Sequence, residues 1–258
     1  MGTKTAPIDD RDREILGLLA EHRVMVVPQL AMAFADLSAR ALQARVRRLA
    51  DGRLLSAQSI FEGQPAAVWI TGAGLRAVES RLAAPRVNLQ EYRHDIGVGW
   101  LYLAARQGVF GTLTDLRLER ELRSDDRRAD REGPHAGIGV GTFARGGRPS
   151  RHYPDLLMTA ATGHRVAVEL ELTTKSADRL RQIMRAYASD HRIAAVLYLV
   201  PDAAGARRIE TAARRAGIAP LVHVQRLAVG GIHGAPRPIA ASRSARSRPA
   251  AGRTGVER

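Results

Sequence analysis

The chain has 258 residues, enough for one large domain or two smaller ones with a proper hydrophobic core. It contains no cysteine, which excludes disulfides, zinc–thiolate centres and thiol nucleophiles. Lysine and arginine outnumber aspartate and glutamate by 40 to 26, which gives a formal net charge of +14. Such a charge favours a polyanionic partner, because basic side chains beside phosphates release condensed counterions.

The charge is a weaker indication of function than its size suggests. Only Lys4 and Lys175 are lysines, so 38 of the 40 basic residues are arginine, and an Ala/Arg/Gly-rich composition is typical of a GC-rich genome. Residues 231–258 hold six arginines and one glutamate, so this segment carries +5 of the charge and the rest of the chain +9. Composition alone therefore leaves nucleic-acid binding and genome bias as equal alternatives.

Neither a membrane span nor a secretory signal is predicted. The first twelve residues are polar and acidic, whereas a signal peptide needs an apolar core. No uninterrupted apolar run approaches the roughly 20 residues that a transmembrane helix requires. We therefore expect a cytoplasmic protein that does not enter a membrane.

Residues 1–85 are predicted to form a winged-helix DNA-binding domain. Asp9 or Asp10 can cap the first helix and Ser38 the third, while Pro28 suits the start of the second. The predicted elements are helices at about 10–21, 28–34, 38–51 and 71–82, with hairpin strands at 54–60 and 67–70. Helix, turn, helix and then hairpin is the order of elements in a winged helix.

Residues 86–230 are predicted to form a second domain, and residues 231–258 a disordered basic tail. The predicted elements are a helix at 87–107, a short segment at 113–122, a mobile loop at 123–151, strands at 155–161, 165–172, 193–200 and 221–225, and helices at 176–189 and 203–216. The first two strands form an antiparallel hairpin, and a β-α-β-α-β run follows it. The expected fold class is therefore α+β or α/β, with a mixed sheet covered by helices.

The third helix has one apolar and one polar face. Leucine and valine recur at positions 42, 46 and 49, which buries that side. The opposite face presents Arg40, Gln43 and Arg47, with Arg48 at its edge. Arginine and glutamine can pair with guanine and adenine edges in a major groove, and arginine also reaches phosphates. We predict that this helix contacts double-stranded DNA; the alternative is a solvated face in an arginine-rich protein.

Three carboxylates are predicted to converge in the second domain. In the strand 165–172 the even positions are apolar, so Glu169 and Glu171 lie on the other face, which Lys175 joins if the chain stays extended. A turn at Thr162-Gly163 brings Asp155 towards that face. Such carboxylates repel one another unless a cation compensates, and oxygen ligands of this kind suit Mg²⁺ or Mn²⁺. The alternative is a solvated sheet face with a Pro-Asp turn.

Pro154-Asp155 and the acidic strand resemble the signature of the PD-(D/E)xK nucleases. The resemblance implies a restriction-endonuclease-like domain in which Asp155 and Glu169 or Glu171 bind the metal, Lys175 stabilises developing negative charge, and Glu121 joins the site. The chain departs from the motif, because its lysine would stand at position 171 or 173, which hold glutamate and threonine. Either Lys175 has taken over that role or the site is degenerate.

The whole arrangement resembles the replication-relaxation-like proteins of actinobacterial plasmids and integrative elements, over about residues 9–228. The motifs that carry this resemblance are Trp69-Ile70-Thr71 with Gly74-Leu75, His94-Asp95, Glu119 to Arg123, His152 to Asp155, and Glu169 to Ser176. It implies a role in replication, mobilisation or transcriptional regulation of a mobile element.

Three functions from different classes follow from these patterns. The first is a non-enzymatic protein that binds double-stranded DNA, the second a Mg²⁺-dependent endonuclease, and the third a protein-interaction module whose charge reflects genome composition. A homodimer, and contacts with replication or mobilisation proteins, are further expectations about partners.

Overall fold

The computed structural model describes residues 7–129, 135–140 and 150–228, and the backbone of Arg237–Pro238. The helices are α1 (Asp10–Glu21), α2 (Val27–Ala33), α3 (Ala39–Asp51), α4 (Gly72–Ala77), α5 (Tyr92–Arg106), α6 (Glu119–Arg128), α7 (Ala177–Ser189) and α8 (Ala203–Arg215). The strands are β1 (Met25–Val26), β2 (Leu55–Gln58), β3 (Ala67–Ile70), β4 (Leu113–Leu118), β5 (Ile138–Gly139), β6 (Arg151–His152), β7 (Leu156–Ala160), β8 (Arg165–Leu170), β9 (Ile193–Val200), β10 (Val222–Ala228) and β11 (Arg237–Pro238). The predicted tail 231–258 lies outside the described residues, apart from β11.

The N-terminal elements form a small antiparallel sheet, with strand order β1-β3-β2, packed against helices. Asp9 caps α1, because its carboxylate accepts the Asp12 N–H at 2.8 Å while Asp12 accepts the Asp9 N–H at 3.1 Å. Ser38 caps α3 by accepting the Ala41 N–H. The predicted caps and the hairpin are thus confirmed, while β1 is too short to give a periodic pattern and was not predicted.

The larger sheet has the strand order β11-β10-β9-β8-β7-β4. The pairs β4–β7, β7–β8 and β10–β11 are antiparallel, whereas the pairs β8–β9 and β9–β10 are parallel. The predicted mixed sheet with helical cover is therefore confirmed. The hairpin turn lies at Thr162-Gly163 as expected, with Gly163 at φ +82°, a conformation that glycine adopts without strain.

The two faces of the larger sheet belong to different hydrophobic cores. On β8, Val168 belongs to the core shared with α5 and α3, while its neighbour Ala167 belongs to the core shared with α7 and α8. Successive residues of a strand point to opposite faces, so the sheet lies between the two cores. Helices α7 and α8 therefore cover one face, and α5 with the N-terminal elements covers the other.

Helix α5 joins the N-terminal elements to the larger sheet. The side chain of Gln29 is fully buried; it accepts the Val26 N–H at 2.9 Å and donates to the Ile96 carbonyl at 2.8 Å. On the other side of α5, Gly97 lies so close to Leu170 that a Cβ there would stand 2.6 Å from that side chain. The core is consequently continuous across the predicted boundary near residue 85.

The largest differences from the predicted boundaries concern three regions, whereas strands such as β2, β8 and β10 differ by one to three residues at their ends. Helix α4 ends at Ala77 rather than about 82, because Glu79 adopts a left-handed φ of 53° that a helix cannot continue through. Helix α5 begins at Tyr92 rather than 87. The predicted loop 123–151 was wrong in its first part, since residues up to 128 belong to α6, and also where Ile138–Gly139 of β5 pairs with β6. Residues 130–134 and 141–149 of that loop lie outside the described part of the chain.

Helix α6 was misjudged because its sequence is almost entirely charged. Two of its four acidic residues, Glu119 and Glu121, lie in the first turn, and Arg127 and Arg128 lie in the last turn, positions that the helix dipole favours. Arg123 forms an ion pair with Glu119 one turn earlier, at 2.6 Å. None of the helices within the described residues is both long and apolar enough to span a membrane.

Candidate functional site

Four of the five predicted catalytic residues line one cleft of about 610 Å³: Asp155, Glu169, Glu171 and Lys175. The cleft lies where β7 begins and β8 ends, beside the N-terminal turn of α5. Leu156 of β7 pairs with Val168 of β8. In an antiparallel pair the residue before Leu156 then faces the residue after Val168, which places Asp155 opposite Glu169. The four side chains therefore line the same cleft, and their predicted roles stay predictions.

Asp155 is bound by two donors from different elements. Its Oδ2 accepts the backbone N–H of Leu170 at 2.7 Å and lies 3.2 Å from Nε2 of His94, on the first turn of α5. Burial alone would lower the pKa of His94, but the charge and hydrogen bond of Asp155 outweigh it and raise that pKa. Burial alone would raise the pKa of Asp155, but the positive charge and the hydrogen bond of His94 outweigh this effect and lower that pKa. The two side chains form a partly buried ion pair.

Glu169 lies deeper, on the side of the sheet that α7 covers. It is 2% exposed, and its Oε1 accepts the Tyr187 hydroxyl at 2.5 Å and lies 2.5 Å from Nε2 of His152. Burial, and then the charge of Glu169, raises the pKa of Tyr187 well above its usual range, so its hydroxyl stays protonated as a donor. Among the described residues, the nearby buried Tyr198 hydroxyl has no hydrogen-bond partner.

Glu171 is held by Lys175. The lysine ammonium forms an ion pair with Oε2 of Glu171, and the lysine backbone N–H donates to Oε1 at 3.0 Å. Burial alone would lower the pKa of Lys175, but the charges of Glu169 and Glu171 outweigh it and raise that pKa. The ammonium is therefore a permanent positive charge at the cleft and not a proton acceptor.

These partners decide how the cluster could treat a divalent cation. In the described ranges no three His, Asp or Glu side chains are disposed to hold one metal ion. The carboxylates instead accept protein donors: Asp155 from His94 and Leu170, Glu169 from Tyr187, and Glu171 from Lys175. This arrangement does not fit the Mg²⁺ or Mn²⁺ that the sequence predicts, and no chemical step through a metal follows from it.

Glu121 does not join this cleft, contrary to the prediction. Its Oε2 accepts the Leu118 N–H at 2.9 Å, and it lines a separate cavity with Glu21 and Arg117. Burial raises the pKa of Glu121. Glu119 lines the cleft instead. Glu119 and Glu121 are two residues apart on α6, so they lie roughly 200° apart around the helix axis and project from opposite sides.

Arg23 is a cleft residue that the sequence did not indicate. It follows α1, and its guanidinium lies 2.8 Å from Glu119 and 3.5 Å from both Glu91 and Asp95. These ion pairs span 68 to 96 positions of sequence, so no local spacing could have revealed them. The second carboxylate oxygen of Asp95 is buried and has no described partner.

The exposed face of α3 divides the predicted DNA-binding residues into two groups. Arg40, Gln43 and Arg47 are exposed, and no ion pair or hydrogen bond of their side chains is seen among the described residues. Arg48 instead forms an ion pair with Asp12, a fully buried carboxylate of α1. Arg45, one turn earlier, also reaches Asp12, at 2.9 Å. Arg48 is therefore occupied within the protein.

The hairpin that follows α3 leans on α5. Phe61, in the turn between β2 and β3, packs its ring 5.4 Å from that of Tyr92. The turn residues 59–66 contain Glu62 and no lysine or arginine. The hairpin tip is thus fixed in place but supplies no positive charge.

Comparison with protein-family models, curated proteins and solved structures gave no match for the chain. The resemblances to nucleases and to replication-relaxation-like proteins consequently stay predictions.

Proposed function

We propose that this protein binds double-stranded DNA, with α3 lying in the major groove as the recognition helix of a winged-helix unit. Its biological setting, as the replication-relaxation resemblance implies, is replication, mobilisation or regulation of a mobile element. Support comes from the order α1, β1, α2, α3, β2, β3, in which the hairpin follows the exposed helix directly. A winged helix needs both parts in that order.

The observation that carries the proposal is the free face of α3. Arg40, Gln43 and Arg47 recur at intervals of three and four residues, so they project from one side of the helix. Asp9 and Asp12 neutralise the other arginines of α3 and leave these three side chains without a partner in the described part of the protein. An unpaired arginine can form two parallel hydrogen bonds with guanine, and glutamine can do so with adenine.

The same ion pairs support the rigidity that recognition requires. Arg45 binds Asp9 at 2.7 Å and Asp12 at 2.9 Å, which fixes α3 against the first turn of α1. Below α3, Leu42, Val46 and Leu49 are buried. A helix anchored on both its apolar and its lateral side presents its outer face with little conformational freedom, so less entropy is lost when DNA binds.

The test is the affinity for a labelled mixed-sequence duplex at low ionic strength. We expect the variant Arg40→Gln/Gln43→Ala/Arg47→Gln to bind at least about tenfold more weakly, the equivalent of roughly 1.4 kcal/mol. A matched control, Arg81→Gln/Arg165→Gln, removes the same number of positive charges, two, from exposed arginines elsewhere on the surface. Equal weakening by both variants would mean that net charge, and not α3, holds the DNA.

A metal-dependent endonuclease is the second candidate, favoured by the meeting of Asp155, Glu169, Glu171 and Lys175 in one cleft. It requires a divalent cation to displace some of the protein donors that these carboxylates now accept. Supercoiled DNA incubated with Mg²⁺ or Mn²⁺ tests it: cleavage that Asp155→Ala and Lys175→Ala both abolish would establish the enzyme. Binding without cleavage supports the non-enzymatic function, and absence of binding leaves the protein-interaction module.

A further inference from the structure

A second basic surface lies between α7 and α8, on the face of the sheet that α3 does not share. The two helices enclose a groove of about 380 Å³. Five arginines line it, together with alanines, one leucine and one threonine: Arg181, Arg185, Arg207, Arg208 and Arg215. No aspartate or glutamate is among the lining residues, all of which lie in the described part of the chain.

The positive charge of this groove is not a simple consequence of an arginine-rich composition, because the cleft beside α5 in the same protein is not positively charged. The cleft beside α5 combines Arg23, Arg93, Arg123 and Lys175 with five carboxylates, so its charges nearly cancel. Arg181 of the groove forms an ion pair with the exposed Asp178 at 2.9 Å. Arg185, Arg207, Arg208 and Arg215 have no carboxylate within ion-pair distance in the described ranges, so they repel one another until an anion binds.

The spacing of these arginines suits a chain of phosphates. Arg181 and Arg185 lie one turn apart on α7, about 6 Å along its axis, and Arg208 and Arg215 lie about 10 Å apart on α8. Duplex DNA carries one negative charge per about 1.7 Å of its axis, so every arginine of the groove can find a phosphate. Guanidinium groups bind phosphate through paired hydrogen bonds. The small side chains of Ala177 and Ala212 leave the floor of the groove open.

We propose that the groove between α7 and α8 binds the phosphate backbone of a second DNA duplex, so that one molecule holds two DNA segments. The proposal rests on the proposed function for the first duplex, which α3 holds. The core under α3 and the core under α7 and α8 lie on opposite faces of the larger sheet, so we expect the two surfaces to hold separate duplexes.

Bridging between two duplexes is the direct test. One duplex is immobilised, the full-length protein is added, and capture of a second, labelled duplex is measured. We expect capture by the wild type and by the control Arg81→Gln/Arg127→Gln/Arg165→Gln, and loss of most capture in Arg185→Gln/Arg208→Gln/Arg215→Gln. Circular dichroism verifies that each variant is folded. The groove substitutions should also weaken the DNA binding that remains in the α3 variant. Added to that variant, they should reduce the slope of log affinity against log salt concentration by about three, or about one per lost phosphate contact.

The two proposals fail in different ways. If the wild type binds single duplexes through α3 but captures no second duplex, or if the groove variant bridges as well as the wild type, the second surface is refuted and the first stands. If the α3 variant binds single duplexes normally and the groove variant does not, the proposed function is refuted and the groove stands. A third outcome would also overturn the proposal. If the wild type binds vesicles of anionic phospholipid, and the groove variant loses this binding but bridges DNA as before, the groove binds a membrane surface.

Discussion

Nε2 of His94 lies 3.2 Å from Oδ2 of Asp155, and this contact links the first turn of α5 to the beginning of β7 across 61 positions of sequence. The same carboxylate oxygen accepts the Leu170 N–H from the end of β8. One side chain thus joins three elements around the cleft.

Replacing Asp155 tests this link. We expect Asp155→Ala to lower the free energy of unfolding at pH 6 by about 2–3 kcal/mol, because two hydrogen bonds to a charged group are lost. The control Asp115→Ala, on the exposed side of β4, should change it by less than about 0.5 kcal/mol. Urea denaturation followed by circular dichroism measures both variants; equal stability of the two would contradict the link.

The pair should also respond to pH in both directions. The pKa of His94 is raised above its ordinary 6.5, so the stabilisation weakens as the pH rises beyond that value through the raised pKa. The pKa of Asp155 is lowered below its ordinary 3.8, so the stabilisation also weakens as the pH falls from that value. The difference in stability between wild type and Asp155→Ala should therefore be largest between about pH 4 and 6.5.

The buried carboxylate of Asp12 should matter for stability and not for DNA affinity. Asp12→Ala removes the partner of Arg45 and Arg48 and half of the reciprocal cap at Asp9. We expect a loss of about 2 kcal/mol in the free energy of unfolding. Affinity for DNA should not fall, because Arg45 still pairs with Asp9 and keeps α3 in place, while Arg48 is released from its partner. A variant that is folded but binds DNA poorly would contradict this division.

The burial of His22 should make the stability of the fold sensitive to acid. It is fully buried, its Nδ1 lies 2.8 Å from the Leu18 carbonyl, and burial lowers its pKa from 6.5 to about 4. Because the unfolded chain takes up the proton more readily, the stabilisation is present above pH 6.5 and is lost as the pH falls towards 4, to a total of about 3 kcal/mol. His22→Leu removes this titration, so stability measured from pH 7 to 4 should fall less steeply. Parallel pH profiles for the two proteins would refute the role of His22.

The junction after the hairpin offers a matched pair of glycines. A Cβ at Gly74 would meet the Leu54 carbonyl oxygen at 2.0 Å, a backbone atom that cannot move aside, whereas at Gly72 the nearest atom is 3.7 Å away. Gly74→Ala should therefore lower the melting temperature by the equivalent of about 3 kcal/mol. Gly72→Ala, in the first turn of α4, should leave it equal or slightly higher. A similar effect of both substitutions would be inconsistent with the close approach.

The local parts of this structure were predictable from sequence and the long-range parts were not. Ser38 and the apolar residues at positions 42, 46 and 49 define α3 through interactions within one or two turns. Alternation along β8 placed Glu169 correctly on the face opposite Val168. In both cases the period of the element carries the information.

Features that depend on tertiary packing could not be predicted from the sequence. The pairing of Arg48 with Asp12 joins residues 36 positions apart and gives this predicted DNA-binding residue a partner within the protein. The choice between Glu119 and Glu121 depended on where α6 begins, since the rotation of a helix about its axis decides which residue enters the cleft. Charge composition indicated a loop where ion pairs one turn apart stabilise a helix.

The dependence of duplex affinity on salt concentration tests the central claim most directly. We expect wild-type protein to bind duplex DNA at low ionic strength with an affinity that falls as salt rises, and Arg47→Ala to bind more weakly, with a log–log slope shallower by about one if Arg47 contacts a phosphate. The melting temperature of Arg47→Ala should equal that of the wild type, because the Arg47 side chain is exposed. Failure of the wild type to bind any duplex at the lowest salt, or an affinity that Arg47→Ala leaves unchanged, would contradict the account.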